Sequence, residues 1–210
     1  MAFDMINISK LGRHGRRVIA RFSRDSSGLA AVEFAFIVPL MLVLLFGMID
    51  TSSYYAISRK LTLTTRSLSD LVSQGTNASD TDLKNFFGMN TAIMAPYSVT
   101  PSTVMTQKIT QLTVDASKNV KVAWSKSGTV NGGTITLSNG YTKGAAVTSV
   151  PANLLVPNTY LIWSEVTYNY TPITGYLMGT AAIPLSDQTY TRPRQSDCVF
   201  YGTATTCTPS

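Results

Sequence analysis

One apolar segment near the N-terminus constrains this chain more than any other feature. Residues 29–49 read LAAVEFAFIVPLMLVLLFGMI, and the one charged side chain among them is Glu33. A helix of about 20 predominantly apolar residues is long enough to cross the hydrocarbon core of a bilayer. The sequence therefore predicts a transmembrane helix over residues 29–50.

The charge pattern around this segment predicts its orientation. Six of the 17 Lys and Arg residues precede Gly28, and only Asp4 and Asp25 oppose them there. These six are Lys10, Arg13, Arg16, Arg17, Arg21 and Arg24. A basic flank stays on the cytoplasmic side of a membrane. We therefore expect a cytoplasmic leader over residues 1–28 and an exported head over residues 76–210. Because the basic residues are concentrated in the leader, no nucleic-acid partner is expected.

Two other interpretations of the apolar segment fit less well. A removable secretory signal has an apolar core of about 7–15 residues followed by a small-residue cleavage site. This segment is longer, and Asp50-Thr51-Ser52 follows it. A buried core helix of a soluble domain is the other alternative, but the basic flank and the length of the segment favour a membrane span.

The carboxylate of Glu33 is costly inside an apolar segment unless it has a partner or lies at the membrane edge. If the chain were cut between Gly28 and Leu29, Glu33 would become the fifth residue. The new amino group of Leu29 would then lie about one helical turn from the carboxylate. Opposite charges attract strongly in a low dielectric. The pair could form within one molecule or between packed neighbours.

The stretch Gly28-Leu29-Ala30-Ala31-Val32-Glu33-Phe34-Ala35 resembles the processing site of tight adherence (Tad) pilus proteins. It is most similar to the TadE/TadF minor pseudopilins and to the related TadG-like proteins. The resemblance implies that a prepilin peptidase cuts after Gly28, that Leu29 is the mature N-terminus and that Glu33 acts in assembly. The major pilins usually have Tyr where this chain has Phe34, and they are much shorter.

The resemblance also implies a set of partners. They are the prepilin peptidase, the other Tad minor pseudopilins, the major pilin, inner-membrane platform proteins and membrane lipid. It implies a location in the bacterial inner membrane with the head in the periplasm, and it implies that the processed subunit can enter an extracellular pilus. No cofactor is expected.

Pro39 lies inside the predicted span. In a soluble helix it would cost about 3 kcal/mol, whereas membrane helices tolerate proline because neighbouring groups satisfy the freed carbonyl. Pro39 therefore predicts a helix kink, and a hinge used when the subunit leaves the bilayer is the functional alternative.

The helix is expected to continue beyond the membrane as an amphipathic segment over residues 51–75, with Gly75 as its stop. Apolar residues recur at helical spacing along it: Tyr54, Ile57, Leu61, Leu68, Leu71 and Val72. This stripe packs either against the protein's own head or against partner pseudopilins.

The head is predicted to be an α+β domain, so that the whole chain is a pilin-like lollipop of one long helix and a small antiparallel sheet. Charged residues make up 13% of the chain, about half the typical share, which suits an exported β-rich domain. A short helix is expected over residues 80–87. Ser79 is its predicted N-cap, because Ser accepts hydrogen bonds from the first free backbone N–H groups.

Alternating and β-branched residues predict the strands of the head. The expected strands are residues 109–114, 120–124, 160–170 and 187–192, with a hairpin turn over 115–119 and an edge position for the last strand. Val120, Val122 and Trp124 alternate with polar and small residues and are expected on one face. Tyr160, Tyr168 and Tyr170 share a face, which indicates strand packing or a ligand-stacking surface.

Cys198 and Cys207 are the only cysteines. In an exported domain, two cysteines close together predict a disulfide, with two free thiols as the alternative. A metal site is not expected, because no second pair and no nearby His accompany them.

Catalytic motifs are not evident. The one His is His14 in the leader, so a Ser-His or Cys-His system cannot be built in the head, and we do not expect an enzyme. Three functions remain: a processed minor pseudopilin, an unprocessed TadG-like accessory protein anchored in the inner membrane, or a membrane-anchored ligand-binding module of the periplasm.

Overall fold

The computed structural model describes residues 27–172, 175, 179–204 and 207. The predicted leader lies outside these residues except for its last two positions, so its basic side chains and His14 receive no structural account. The chain forms two compact units, Met1–Met48 and Ile49–Ser210. The observed elements are α+β, as predicted: one long helix is followed by a five-stranded antiparallel sheet.

The long helix α1 spans Ser27–Ser73, close to the predicted start at Leu29 and the predicted stop at Gly75. In the larger unit its apolar stripe is buried: Ile57, Leu61, Leu68 and Val72 are at most 2% exposed. Arg59 and Arg66 lie on the exposed side. The stripe shares core clusters with sheet residues such as Val166 and Ile162. The unit's own side chains therefore cover the stripe.

Small polar residues let α1 approach the sheet closely. Thr64, Thr65, Ser69 and Ser73 are fully buried. The hydroxyl of Thr65 donates to the Leu61 carbonyl at 2.8 Å, and the hydroxyl of Ser164 on the sheet donates to the Thr65 carbonyl at 2.8 Å. Buried hydroxyls need partners. The Thr65 hydroxyl finds its partner within the helix, and the Ser164 bond joins the helix to the sheet without a large side chain between them.

The second helix, α2, spans Asp80–Met94 and is seven residues longer than predicted. Its start is as expected: Ser79 caps it in a capping box with Asp82, and these hydrogen bonds from Ser79 lower the pKa of the Asp82 carboxyl. The extension follows from packing, since Leu83, Phe87, Asn90 and Met94 are buried at helical spacing. Lys60 binds the carbonyls of Ile93 and Ala95 at 2.8 and 2.7 Å, where the helix ends.

The main sheet has five strands: β2 (Met105–Val114), β3 (Val120–Asn131), β4 (Thr134–Asn139), β5 (Thr159–Tyr170) and β6 (Ile183–Thr191). Their order is β4-β3-β2-β5-β6, and the sheet is antiparallel throughout. The predicted hairpin turn is confirmed, because the backbone N–H of Asn119 donates to the Asp115 carboxylate at 2.8 Å between β2 and β3. The last strand, β6, lies at an edge as predicted but begins four residues earlier.

The placement of Trp124 on one face with Val120 and Val122 was wrong. The register of β2 and β3 shifts between Gln111 and Leu112, where Gln111 faces Trp124 and Leu112 faces Val122. Ala123 is therefore an extra, bulged residue, and a bulge reverses the side-chain alternation that follows it. Trp124 packs with the helices, whereas Val120 and Val122 belong to the core on the other side.

The sheet is thus covered on both faces, which we call the helix face and the opposite face. The helix face packs against α1 and α2 and includes Ile109, Gln111, Trp124 and Ile162. The opposite face includes Leu112, Val122, Leu161 and Trp163. There the Trp163 ring is stacked between Tyr141 and Tyr190, with ring centroids 5.2 and 5.8 Å away. Segments 141–155 cover this face, and a 3-10 turn at Ala152–Leu154 is part of them.

The segment after β6 returns to the helix face. Its strand β7 (Phe200–Tyr201) pairs in parallel with β1 (Asn77–Ala78), just after α1. A disulfide joins Cys198 to Cys207, with Cα atoms 5.9 Å apart. Val199 is fully buried in the core cluster of Leu68 and Phe87. The parallel pairing of β1 with β7 was not predicted, because each strand is only two residues long.

Candidate functional site: the exposed apolar part of the first helix

The sequence-predicted processing residues lie in the first turns of α1. Gly28 is the second residue of the helix, and the space where its Cβ would stand is open to at least 4 Å. Leu29 is 63% exposed, and Glu33 is exposed one helical turn later. Side chains four residues apart lie on the same side of a helix. Gly28, Leu29 and Glu33 therefore form one accessible surface at the start of α1.

The carboxylate of Glu33 makes no ion pair or hydrogen bond with the residues that the structure describes. It is the one acidic residue between Gly28 and Ile49. Its neighbours along the helix, Val32 and Phe34, are 53% and 68% exposed. A carboxylate in such an apolar surface has a high free-energy cost once water is removed, unless a cation joins it. A cation from a second molecule would satisfy it.

Most of the apolar side chains in this part of α1 are exposed. Twelve large ones between residues 29 and 48 are 43–79% exposed: Leu29, Val32, Phe34, Phe36, Ile37, Leu40, Met41, Leu42, Val43, Leu44, Leu45 and Met48. Burying one such side chain is worth about 1.5–3 kcal/mol, and contiguous exposed patches of this kind mark membrane or protein contacts.

The helix is also long and apolar enough to cross a bilayer. Its most apolar 18-residue window has a mean hydropathy of 2.6, and none of that window is buried by the protein. A core helix of a soluble protein would instead be mostly covered. The N-terminal part of α1 therefore indicates anchoring in a membrane.

Pro39 lies within α1, and the helix continues on both sides of it. Because proline has no backbone N–H, the carbonyl of Ala35 lacks its usual donor four residues later. The structure thus places a missing helical hydrogen bond in the middle of the exposed segment. The hinge role of Pro39 stays a prediction.

A buried polar cluster at the start of the larger unit was missed in the sequence. Asp50 is fully buried, and the hydroxyl of Tyr170 donates to its backbone carbonyl at 3.3 Å. The rings of Tyr54 and Tyr170 meet edge to face with centroids 6.2 Å apart. Burial and the charge of Asp50 raise the pKa of Tyr170. An acid directly after an apolar run was the available signal, and it was interpreted only as the end of the span.

The predicted tyrosine row serves mainly as strand packing. Tyr168 and Tyr170 are buried in the core cluster around Ile57, and the Tyr168 hydroxyl donates to the Ser98 carbonyl at 2.9 Å. Tyr160 differs, because its buried hydroxyl has no hydrogen-bond partner. Among the residues that the structure describes, no cluster of three or more His, Cys, Asp or Glu could hold a metal ion.

Comparison with known proteins finds a family match for the N-terminal part of the chain alone. No curated protein and no solved structure matches the chain significantly. The matched family segment starts at Gly28, contains Glu33, Pro39 and the whole exposed apolar segment, and ends within the buried stripe of α1. It covers about a fifth of the 210 residues, so the sheet lies outside it. Residues 28–67 match the family model of TadE-like proteins, which confirms the predicted resemblance and is consistent with a TadE/TadF-like protein associated with the Tad pilus.

Proposed function

We propose that this chain is a minor pseudopilin of a Tad pilus, anchored in the bacterial inner membrane with its leader in the cytoplasm and its head in the periplasm. Prepilin peptidase cuts it between Gly28 and Leu29. The mature protein joins other minor pseudopilins and the major pilin, and primes or adjusts pilus assembly. Its role is structural and not enzymatic.

One observation carries the proposal: the exposed apolar surface of α1 contains a single carboxylate, Glu33, four residues after Leu29. Cleavage after Gly28 would create an α-amino group at Leu29, which is positively charged near neutral pH. Opposite charges from neighbouring subunits can then enter an apolar environment together, whereas either charge alone is costly there. The pairing specifies the axial position of one subunit on the next.

The match of residues 28–67 to TadE-like proteins supports the same proposal. It includes both the proposed cleavage residues and the acid. The anchored accessory protein that keeps its leader remains the competing function, because it would share the helix and the acid but would have no new amino group to pair with Glu33.

The proposal is tested by replacing the acid with its neutral isostere, Glu33→Gln, in the native host. We expect normal membrane insertion and a loss of about 10-fold or more in co-purification with partner pilins, since breaking a buried ion pair costs several kcal/mol. The matched control is Asp187→Asn in β6, where the carboxylate contacts the neighbouring Gln188 N–H. Equal co-purification of the Glu33 variant and the control would contradict the charge pairing.

A further inference from the structure

A cleft of about 190 Å³ lies on the helix face of the sheet, at the disulfide. One wall comes from three strands, with Gln111 of β2, Trp124 of β3 and Tyr160 of β5. The other wall comes from described residues near the disulfide, including Tyr201 and Ala204. Drug-sized ligand pockets measure about 300–1,000 Å³, so this cleft has room for a single ring.

The β-bulge at Ala123 helps to build this cleft. Without the extra residue, Trp124 would point to the opposite face with Val122. With it, the indole lies on the helix face, stacks on Tyr201 at a centroid distance of 5.3 Å and donates to the Val199 carbonyl at 2.9 Å. Bulges often re-aim a side chain beside a binding site. Here the bulge directs the largest aromatic group of β3 into the cleft wall.

Tyr160 provides an unused polar group at the same place. The residue is 9% exposed, and its hydroxyl is buried without a hydrogen-bond partner. Leaving a buried hydroxyl unpaired is unfavourable, because the group has lost its water without gaining another partner. Tyr160 and Cys207 also line a second cleft, together with Asn158 and Asp197. Tyr160 therefore lines both clefts, and a bound molecule could supply the partner that its hydroxyl lacks.

The chemistry of the lining favours an uncharged, polyhydroxylated ligand. The indole of Trp124 offers flat apolar contact in the lining. The Tyr201 ring supports it from one side, and Lys126 Nζ lies over the Tyr201 ring 5.1 Å from its centroid. Gln111 accepts from the Val199 N–H at 2.7 Å through its amide oxygen, so Nε2 is the group that it can offer to a ligand. The charged residue in the lining of this cleft is Lys143, which is exposed. One exposed cation is a weak basis for binding an anion, and a metal would need acids.

We propose that this cleft is a binding site for one sugar ring, which stacks on the Trp124 indole and hydrogen-bonds with the Tyr160 hydroxyl. The ring can belong to a free monosaccharide or to the end of a polysaccharide, since both present the same hydroxyls. The site lies outside the segment matched to TadE-like proteins and does not depend on cleavage at Gly28.

The two tryptophans of the chain give a direct assay. Trp124 lies in the cleft, whereas Trp163 lies on the opposite face. The full chain is labelled at the indole nitrogens and held in dodecylphosphocholine micelles, a detergent without a sugar group. Glucose, galactose, mannose and N-acetylglucosamine are titrated to roughly 100 mM, because single-ring ligands bind with Kd values near millimolar. We expect a saturable shift of the Trp124 indole signal and no shift of the Trp163 signal.

Two variants connect this shift to the cleft. Tyr160→Phe should weaken binding about 3- to 10-fold through the lost hydrogen bond, without lowering the unfolding midpoint, because the hydroxyl is unpaired in the free protein. Tyr190→Phe on the opposite face is the matched control and should leave Kd unchanged. Ala204→Phe fills the cleft from an exposed position and should abolish binding. This second variant tests the site independently if Tyr160→Phe fails to fold.

Two results of these titrations would contradict the proposal. It is wrong if no sugar shifts the Trp124 signal saturably, or if Ala204→Phe binds as tightly as the unmodified chain. A four-unit oligomer of the binding sugar distinguishes the sources. Tighter binding of the oligomer assigns the site to a polysaccharide end, and equal binding assigns it to a free monosaccharide.

Discussion

The contact between Gly128 of β3 and Phe87 of α2 offers a quantitative test of how the second helix packs on the sheet. Phe87 is fully buried, and its carbonyl accepts from the Gln107 side chain at 3.1 Å. A Cβ on Gly128 would collide with three atoms of the Phe87 ring. The glycine is required for this close approach alone, since its φ does not lie in the left-handed region. Gly128→Ala should therefore destabilise the larger unit by overpacking.

The magnitude follows from two opposing effects. Overpacking a filled core costs about 1–3 kcal/mol, and replacing Gly with Ala restricts the unfolded chain and returns about 0.4–1 kcal/mol. We expect a net loss of about 1–2 kcal/mol in the free energy of unfolding. With an m-value near 2 kcal/mol/M, the urea midpoint should fall by about 0.5–1 M.

The assay is urea unfolding of the full chain in micelles, followed by the fluorescence of Trp124 and Trp163, which both lie in the larger unit. Gly88→Ala is the matched control, because it changes a glycine of the same helix whose nearest neighbour, Ile135 Cγ1, lies 3.9 Å from the new Cβ. The control should raise stability by about 0.4–1 kcal/mol.

A double variant tests the cause. Phe87→Leu removes ring atoms that Gly128→Ala would meet, so the two changes together should cost at least 1 kcal/mol less than the sum of the single costs. The packing argument is refuted if Gly128→Ala is as stable as the unmodified chain, or if the two effects are additive.

Three further predictions concern the cap, the disulfide and the cleavage residue. Ser79→Ala should cost about 0.5–2 kcal/mol. Because Ser79 depresses the pKa of Asp82, the stability from this pair is present above the unfolded pKa near 3.8 and is lost as the pH falls through the folded value. The cost should thus shrink in urea unfolding below that pH, and a pH-independent cost would contradict the assignment. Cys198→Ser opens the loop to Cys207 and should cost about 2–3 kcal/mol under oxidising conditions, but nothing in reductant, where an equal loss would argue against the disulfide. Gly28→Leu should leave an uncut chain on immunoblots, while Gly28→Ala is still cut in part, and normal cutting of the Leu variant would move the site elsewhere.

The sequence predicted those parts of the fold that local chemistry decides. The limits of α1, the Ser79 cap and the Asp115–Asn119 turn each depend on residues that are neighbours in the chain. The Cys198–Cys207 pair also closes a short loop. In these cases the residue types restrict the backbone or its hydrogen bonds before any tertiary contact forms.

The sequence did not predict features that distant contacts decide. The bulge at Ala123 arises because Gln111 and Trp124 are paired across the sheet, and the strand's own alternation indicated the wrong face. The end of α2 at Met94 depends on burial of its last turn and on Lys60, 33 residues away from Ile93. The parallel pairing of Ala78 with Tyr201 is too short to leave a pattern in either segment.

The sequence predicted which residues form the candidate assembly site, but the structure of one chain does not include the group that would pair with Glu33. The position of Glu33 in an apolar segment is evident from the sequence, and the structure adds that its surroundings are exposed. Among the residues that the structure describes, no cation pairs with Glu33. The proposed partner is the Leu29 amino group that cleavage would create, on the same or a neighbouring subunit. The burial of Asp50 was missed because an acid after an apolar run usually faces water.

The intact mass and N-terminal sequence of the protein, recovered from its native membrane, test the proposed function most directly. The account predicts a species that begins at Leu29 and that disappears, in favour of the full-length chain, when the prepilin peptidase is deleted. A protein that retains its leader in cells with an active peptidase would contradict the account and would favour the anchored accessory protein.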